Sequence, residues 1–219
     1  MGRRGKYLLM SLSDGAVLVL HLGMSGQVLL VEPGHAAIAH THVMLGFGPD
    51  LGLRFVDPRT FGEIFVTRAP PVELAHLGVD ALDDVRSAAQ LGAMLRSRGT
   101  KLKPLLMDQG FVAGIGNLYA DEILFAARLR YDRAADSLSA AEVRRLYRAM
   151  SSILDAAIGH RGSSLADDQY RDVFGAVGDY QSRHQAYGRE GEPCPRCRKS
   201  IVRVKTGGRS TFLCPRCQA

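Results

Sequence analysis

The sequence predicts an α+β chain that ends in a metal-held ribbon, and three observations carry that expectation. Residues 1–69 are short apolar runs bounded by Gly, Pro or Asp, and the middle of the chain has helical periodicity. Residues 189–219 hold all four cysteines as two C-x2-C pairs. The organisation expected is therefore a β-rich part over 1–69, a helical part over 70–188 and a zinc ribbon over 189–219.

In chain order, 7–12 and 16–20 are apolar runs separated by Ser13-Asp14-Gly15, a hairpin signal. Further strands are expected over 27–31, 42–47, 51–56 and 63–67. Ala69-Pro70-Pro71 ends the pattern. A helix over 118–129 is entered through Gly114-Ile115-Gly116-Asn117, where the glycines permit a tight turn and Asn117 can cap. The free N–H groups of such a helix make an anion site, with Lys103 as a cation that could face the same phosphate, although an ordinary helix entry is the plainer alternative. The clearest helix starts at Ser139, with Glu142 reaching back to the cap and Val143, Leu146, Tyr147, Met150, Ile153, Leu154 and Ile158 on one stripe. Residues 162–188, polar and punctuated by glycine, are expected to be a mobile loop.

Cys194, Cys197, Cys214 and Cys217 have the spacing that places four thiolates around one zinc ion, with Arg203, Lys205 and Arg209 in the insert. Two disulfides are the alternative. No apolar run near the start is long enough for a secretory signal and none along the chain is long enough to span a bilayer, which points to a reduced cytoplasm, where such pairs favour metal. The whole chain carries a formal charge of +6. Residues 189–219 contain eight Lys/Arg and two Glu, a local balance of +6. A second run, Arg96 to Lys103, has four positives in eight positions. Clustered charge of one sign points to nucleic acid phosphates, with a solvated face as the bland reading.

Six ordered blocks resemble the formamidopyrimidine-DNA glycosylase family more closely than its endonuclease-VIII-like sister. They are His21-Leu-Gly-Met24-Ser-Gly26, Asp57-Pro-Arg59-Thr-Phe61-Gly62, Lys103-Pro-Leu-Leu-Met-Asp-Gln109, Gly114-Ile-Gly-Asn117-Leu-Tyr-Ala-Asp-Glu122, Tyr187 to Cys194, and Gly208-Arg209 to Gln218. The resemblance implies a partial N-terminal β-sandwich, a helix-two-turn-helix domain and a C-terminal zinc-ribbon hairpin, with damaged duplex DNA in the cleft. It implies a bacterial repair enzyme that excises oxidised purines and cleaves the abasic site by β,δ-elimination, with one structural zinc; the sequence itself offers no evidence for an oligomer, so a monomer is expected. Lys6 and Arg209 match catalytic positions. His40, Arg59, Arg98, Lys103 and Asn117 match DNA contacts, and Met24, Arg59 and Phe61 match the trio that enters the duplex when the damaged nucleotide leaves the stack. By composition alone, Met24 and Phe61 read as core side chains. The sequence departs from the family at Thr41, where Asp is expected, and at Thr60, where a second Arg is usual. The loop over 162–178 is expected to shape the base pocket.

The family's nucleophile is an amino-terminal proline followed by glutamate, whereas this sequence opens Met1-Gly2-Arg3-Arg4 at a point matching the inside of the first domain. Two readings follow: an active glycosylase and lyase whose gene start lies upstream, or an impaired DNA-binding remnant. A zinc-ribbon protein of translation or transcription explains the cysteines but not Met24, Arg59 and Phe61 in their blocks.

Overall fold

The computed structural model describes residues 1–32, 34–165 and 169–218. The chain forms two compact units, 1–74 with 157–182 and 75–156 with 183–219. The ribbon thus groups with the helices and 157–182 with the strands, where the sequence suggested three consecutive parts.

The first unit contains β1 (Gly2–Arg4), β2 (Tyr7–Ser11), β3 (Ala16–His21), β4 (Gln27–Val31), β5 (Thr41–Gly46), β6 (Gly52–Val56) and β7 (Glu63–Arg68). They form a four-stranded sheet, β1-β2-β3-β7, and a three-stranded sheet, β4-β6-β5, all antiparallel. At the β2–β3 turn Asp14 Oδ1 accepts from Ala16 N at 3.0 Å and Gly15 takes φ +85°. Leu8, Met10 and Leu20 of one sheet and Val28, Leu30 and Leu53 of the other line one apolar cavity, which makes the pair a sandwich.

The expectation of a mobile loop after residue 162 is corrected where the chain is described. Val173 O accepts from Leu30 N at 2.8 Å on the open edge of β4, and Gln169 O from Gln27 Nε2 at 2.7 Å. Ser164 Oγ donates to Tyr170 O at 2.6 Å and accepts from Gly178 N at 2.9 Å. An edge strand with unpaired N–H groups recruits such a segment whatever its polarity. Residues 166–168 of the expected base-pocket loop lie outside the described residues.

The second unit contains the two-residue parallel pair β8 (Val79–Asp80) and β9 (Val112–Ala113), the helices α1 (Ala88–Arg96), α2 (Leu102–Met107) and α3 (Asn117–Ala127), all but the end of α4 (Ala140–Gly159), and the hairpin β10 (Val202–Thr206) and β11 (Arg209–Leu213). The capping box at α4 is present: Ser139 N donates to Glu142 Oε2 at 2.8 Å and Glu142 N to Ser139 Oγ at 3.3 Å. Val143, Leu146, Met150 and Leu154 join Leu91, Leu102, Leu106 and Ile123 in one core. The expected stripe stops there, because Ala157 is buried in the last turn and Ile158 is 62% exposed.

Candidate DNA-binding site and metal centre

In the first unit the site is built around one buried carboxylate. Asp57 follows β6, 1% exposed. Its Oδ1 accepts from Ser25 Oγ at 2.6 Å and Arg59 N at 3.3 Å, and its Oδ2 from Gly62 N at 2.7 Å. Its backbone N–H donates to His40 O at 3.0 Å, and its carbonyl lies 2.8 Å from His42 Nε2. Burial works to raise the Asp57 pKa, but the hydrogen bonds from Ser25, Gly62, Arg59 and Phe61 outweigh it and hold the pKa below the ordinary carboxylate value. Asp57 is therefore an ionised clamp for the turn 57–62. Gly23 packs on the same turn so closely that a Cβ there would lie 2.6 Å from the Phe61 carbonyl carbon.

The clamp leaves Met24 68% and Phe61 59% exposed, with Arg59 exposed beside them. Thr60, a β-branched residue, is held at φ +57°, a conformation that costs about 1–3 kcal/mol and persists where surrounding contacts impose it. Lys6 is exposed in the β1–β2 turn. The next residue, Tyr7, stacks on His21 at 4.6 Å, and His21 Nδ1 accepts from Gly23 N at 3.2 Å. The His21 pKa is lowered by burial, with Glu63 opposing and Lys6 assisting, so the ring is neutral at pH 7 and its proton sits on Nε2.

In the second unit the four cysteine sulfurs lie within 4.8 Å of one another, with Cys197 and Cys214 3.4 Å apart and Cys194 and Cys217 3.9 Å apart. These separations exceed a disulfide bond of about 2.05 Å. They are near the ~3.8 Å expected between thiolates placed about 2.3 Å from a tetrahedral zinc ion. Deprotonating one thiol raises the cost of deprotonating its neighbours. Cys217 is pushed up, first by burial and then by the other three sulfurs. A divalent cation removes that cost, so this donor set fits one zinc ion.

The ribbon is fastened to α3. Arg196 Nη1 donates to Phe125 O, in the last turn of the helix, at 2.6 Å, and Gln218 Nε2 to Leu129 O, just beyond its end, at 2.9 Å. Glu122, 1% exposed, accepts the backbone N–H groups of Gln185, Ala186 and Tyr187 at 2.8–2.9 Å. Lys103 Nζ reaches Asp121 Oδ1 at 2.7 Å, Thr211 Oγ1 at 2.8 Å and Ser210 O at 2.9 Å, while Asp121 Oδ2 accepts from Phe212 N at 2.9 Å. Beyond this lock, Gly207 and Gly208, both at positive φ, make the two-residue hairpin turn that presents Arg209.

Family models for the N-terminal domain and the H2TH domain of formamidopyrimidine-DNA glycosylase match residues 1–64 and 77–169, and one for the zinc finger found in FPG and IleRS matches 191–219. The formamidopyrimidine-DNA glycosylase of Pelotomaculum thermopropionicum is 41% identical over 222 residues, covering 100% of this chain and 80% of the relative. The chain belongs to the formamidopyrimidine-DNA glycosylase family. The Herpetosiphon aurantiacus member is 43% identical over 99% of this chain and 80% of its own length. The crystal structure of MutM (Fpg) from Thermus thermophilus superposes with a TM-score of 0.91 at 42% identity, covering 99% of this chain and 81% of that one. The Lactococcus lactis Fpg complex with abasic-site DNA gives 0.89 at 32% identity, covering 99% and 80%.

The sequence-derived site residues of this family member fall into groups. Met24, Arg59 and Phe61 come together on the clamped turns, with the His40 carbonyl in the same network. Arg98 is exposed, its guanidinium 5.5 Å from the Phe111 ring centroid. Lys103 departs from the expectation of a phosphate contact: it is 2% exposed, donates to Ser210 O and Thr211 Oγ1, and forms an ion pair with Asp121. It positions the Arg209 hairpin instead. Asn117 does not cap α3. Gly116 holds the cap position in extended backbone, and Asn117 is the first helical residue, its buried Oδ1 without a protein partner among the described residues.

Sequence reasoning missed Asp121 and Glu122 as anchors, although two adjacent acids inside an apolar helix were the available signal. It also missed Gln109, whose side chain bonds Met107 O, Ile115 O and Gly114 N to shape the turn before α3. A lone glutamine gives no comparable signal.

Proposed function

We propose that the protein is a base-excision-repair DNA glycosylase and AP lyase that acts on duplex DNA carrying an oxidised or ring-opened purine or an abasic site, in the bacterial cytoplasm and on nucleoid DNA. One observation carries the reading: two large apolar side chains, Met24 and Phe61, stand exposed with Arg59 on turns clamped by a buried, ionised Asp57. Apolar groups fixed in water at a structural cost are suited to filling the space left when a nucleotide is extruded, while a guanidinium can face the orphaned base. Family membership and the solved Lactococcus lactis Fpg complexes with abasic-site and Fapy-dG DNA support the substrate class.

Arg209 at the ribbon tip, Arg98, His40 and the uncapped N–H groups at Asn117 supply phosphate contacts in this reading, and Arg209 also serves δ-elimination. Lys6 assists base release and β-elimination. When the glycosidic bond breaks, an amine takes its place at C1′, and the resulting iminium is the electron sink for both eliminations.

The decisive measurement is binding of duplexes containing an abasic-site analogue or 8-oxoguanine against intact duplex at matched salt. Tighter binding to the damaged duplexes is expected, and equal affinity overturns the reading. Borohydride trapping on the 8-oxoguanine duplex then reports amine attack directly. Arg209→Ala should weaken binding and reduce the salt slope by about 1.

A further inference from the structure

The four cysteines are not equivalent. Cys194 and Cys214 are fully buried, whereas Cys197 and Cys217 are half-exposed. The half-exposed pair lines an open cavity of about 440 Å³ whose other walls are Arg128, Arg196 and Arg216, without an acidic residue. We infer that these three arginines form a cationic collar that neutralises the zinc tetrathiolate and retains the metal, Arg128 and Arg216 acting as positioning residues for the exposed sulfurs.

Charge decides between a collar and an anion site. Two positive charges on zinc against four thiolates leave the centre doubly negative, and the carbonyl end of α3 adds partial negative charge. Three guanidinium groups, charged at every accessible pH, line the cavity with the two sulfurs and offset that excess. The hairpin tip is a separate basic feature, about 16 Å away along a five-residue strand.

Backbone conformation at Arg128 points the same way. This residue ends α3 at φ +59°, ψ +38°, a left-handed position that favours glycine. An arginine placed there accepts backbone strain for the sake of its side chain. Arg196 is fixed over the Phe125 ring at 4.3 Å and holds Phe125 O, so it ties the collar to the helix.

The test is zinc release from the full chain to a chromogenic chelator, starting from protein carrying one zinc. Outer-shell partners typically change metal affinity about 10–100-fold. R128A/R216A should release zinc about tenfold faster, while R128K/R216K stays close to the parent. Added salt should speed release from the parent more than from the alanine variant. Arg128→Gly separates collar from fold, since glycine relieves the strain at this position and yet should speed release. Unchanged release in R128G and R128A/R216A overturns the inference. So does a loss of DNA affinity in R128A/R216A with zinc retention intact, which would assign the cavity to nucleic acid.

Discussion

The Asp57 turn and the ribbon hairpin both hold exposed side chains in fixed positions, by opposite electrostatics. Asp57 is a carboxylate whose hydrogen bonds outweigh its burial, so its pKa falls. Asp121, behind the hairpin, is raised to about 6, first by burial, with Lys103 only partly offsetting it. Lys103 is itself lowered, again first by burial. Neither member of that pair recovers from the other what it loses by leaving water, the usual condition of a buried ion pair. The Asp57 clamp thus stabilises its turn directly, whereas the Lys103–Asp121 lock specifies where β11 sits more than it stabilises.

The largest separation of the two regions should come from the metal. Structural zinc contributes on the order of 10–16 kcal/mol of binding free energy in small ribbons. Cys194→Ser or chelation should therefore abolish stoichiometric zinc and the amide protection of β10 and β11, leaving the Gly62 amide protected. Hydrogen exchange with metal analysis reads both, and full zinc in the variant would contradict the ligand set.

Next is the lock. Lys103→Met leaves a buried carboxylate without its cation and should cost about 3–5 kcal/mol in urea unfolding. K103M/D121L, which removes both charges, should recover most of that loss. A double variant no better than the single one would mean that the pair stabilises outright.

Acid should then divide the regions by sign. The folded Asp121 pKa of about 6 lies above the ordinary value near 4, so its contribution is present below pH ~4 and fades as pH rises through ~6. Asp57 is depressed, so its contribution is present above pH ~4 and is lost as pH falls through its lower folded value. Asp121→Asn should flatten the pH 4–6 limb of stability and Asp57→Asn the limb below 4. D57N should also cost about 1–3 kcal/mol through unsatisfied backbone donors.

The smallest stability effect is expected for Phe61→Ala, within about 0.5 kcal/mol because the ring is exposed. Its effect should appear in base extrusion, as a reduced fluorescence response of 2-aminopurine beside the lesion. A large fall in melting temperature would return Phe61 to a packing role.

Much of this was legible in one dimension. The hairpin around Asp14-Gly15, four further strand positions, the Ser139–Glu142 cap and the four ligands follow from local rules of turn chemistry, side-chain alternation and cysteine spacing. α1 and α2 were not placed individually. α2 is short and carries Pro104 in its first turn, where proline is tolerated but reads as a break. Sequence order also kept 157–182 apart from the strands, because only the open edge of β4 calls that segment in.

What the sequence by itself determined was therefore which residue types are present at spacings that local geometry constrains: strands, caps, thiolates and the Met24, Arg59 and Phe61 blocks. Which charged groups face water was decided by tertiary structure alone. Lys103 lies in the short helix α2 and Asp57 just past β6, and nothing beside them in the chain says that one will be sealed against Asp121 and Thr211 and the other folded beneath its own turn. Burial of charge depends on partners brought from Ser25, 18 residues along at Asp121, or more than a hundred residues away at Thr211, and those meetings exist only once the chain has packed.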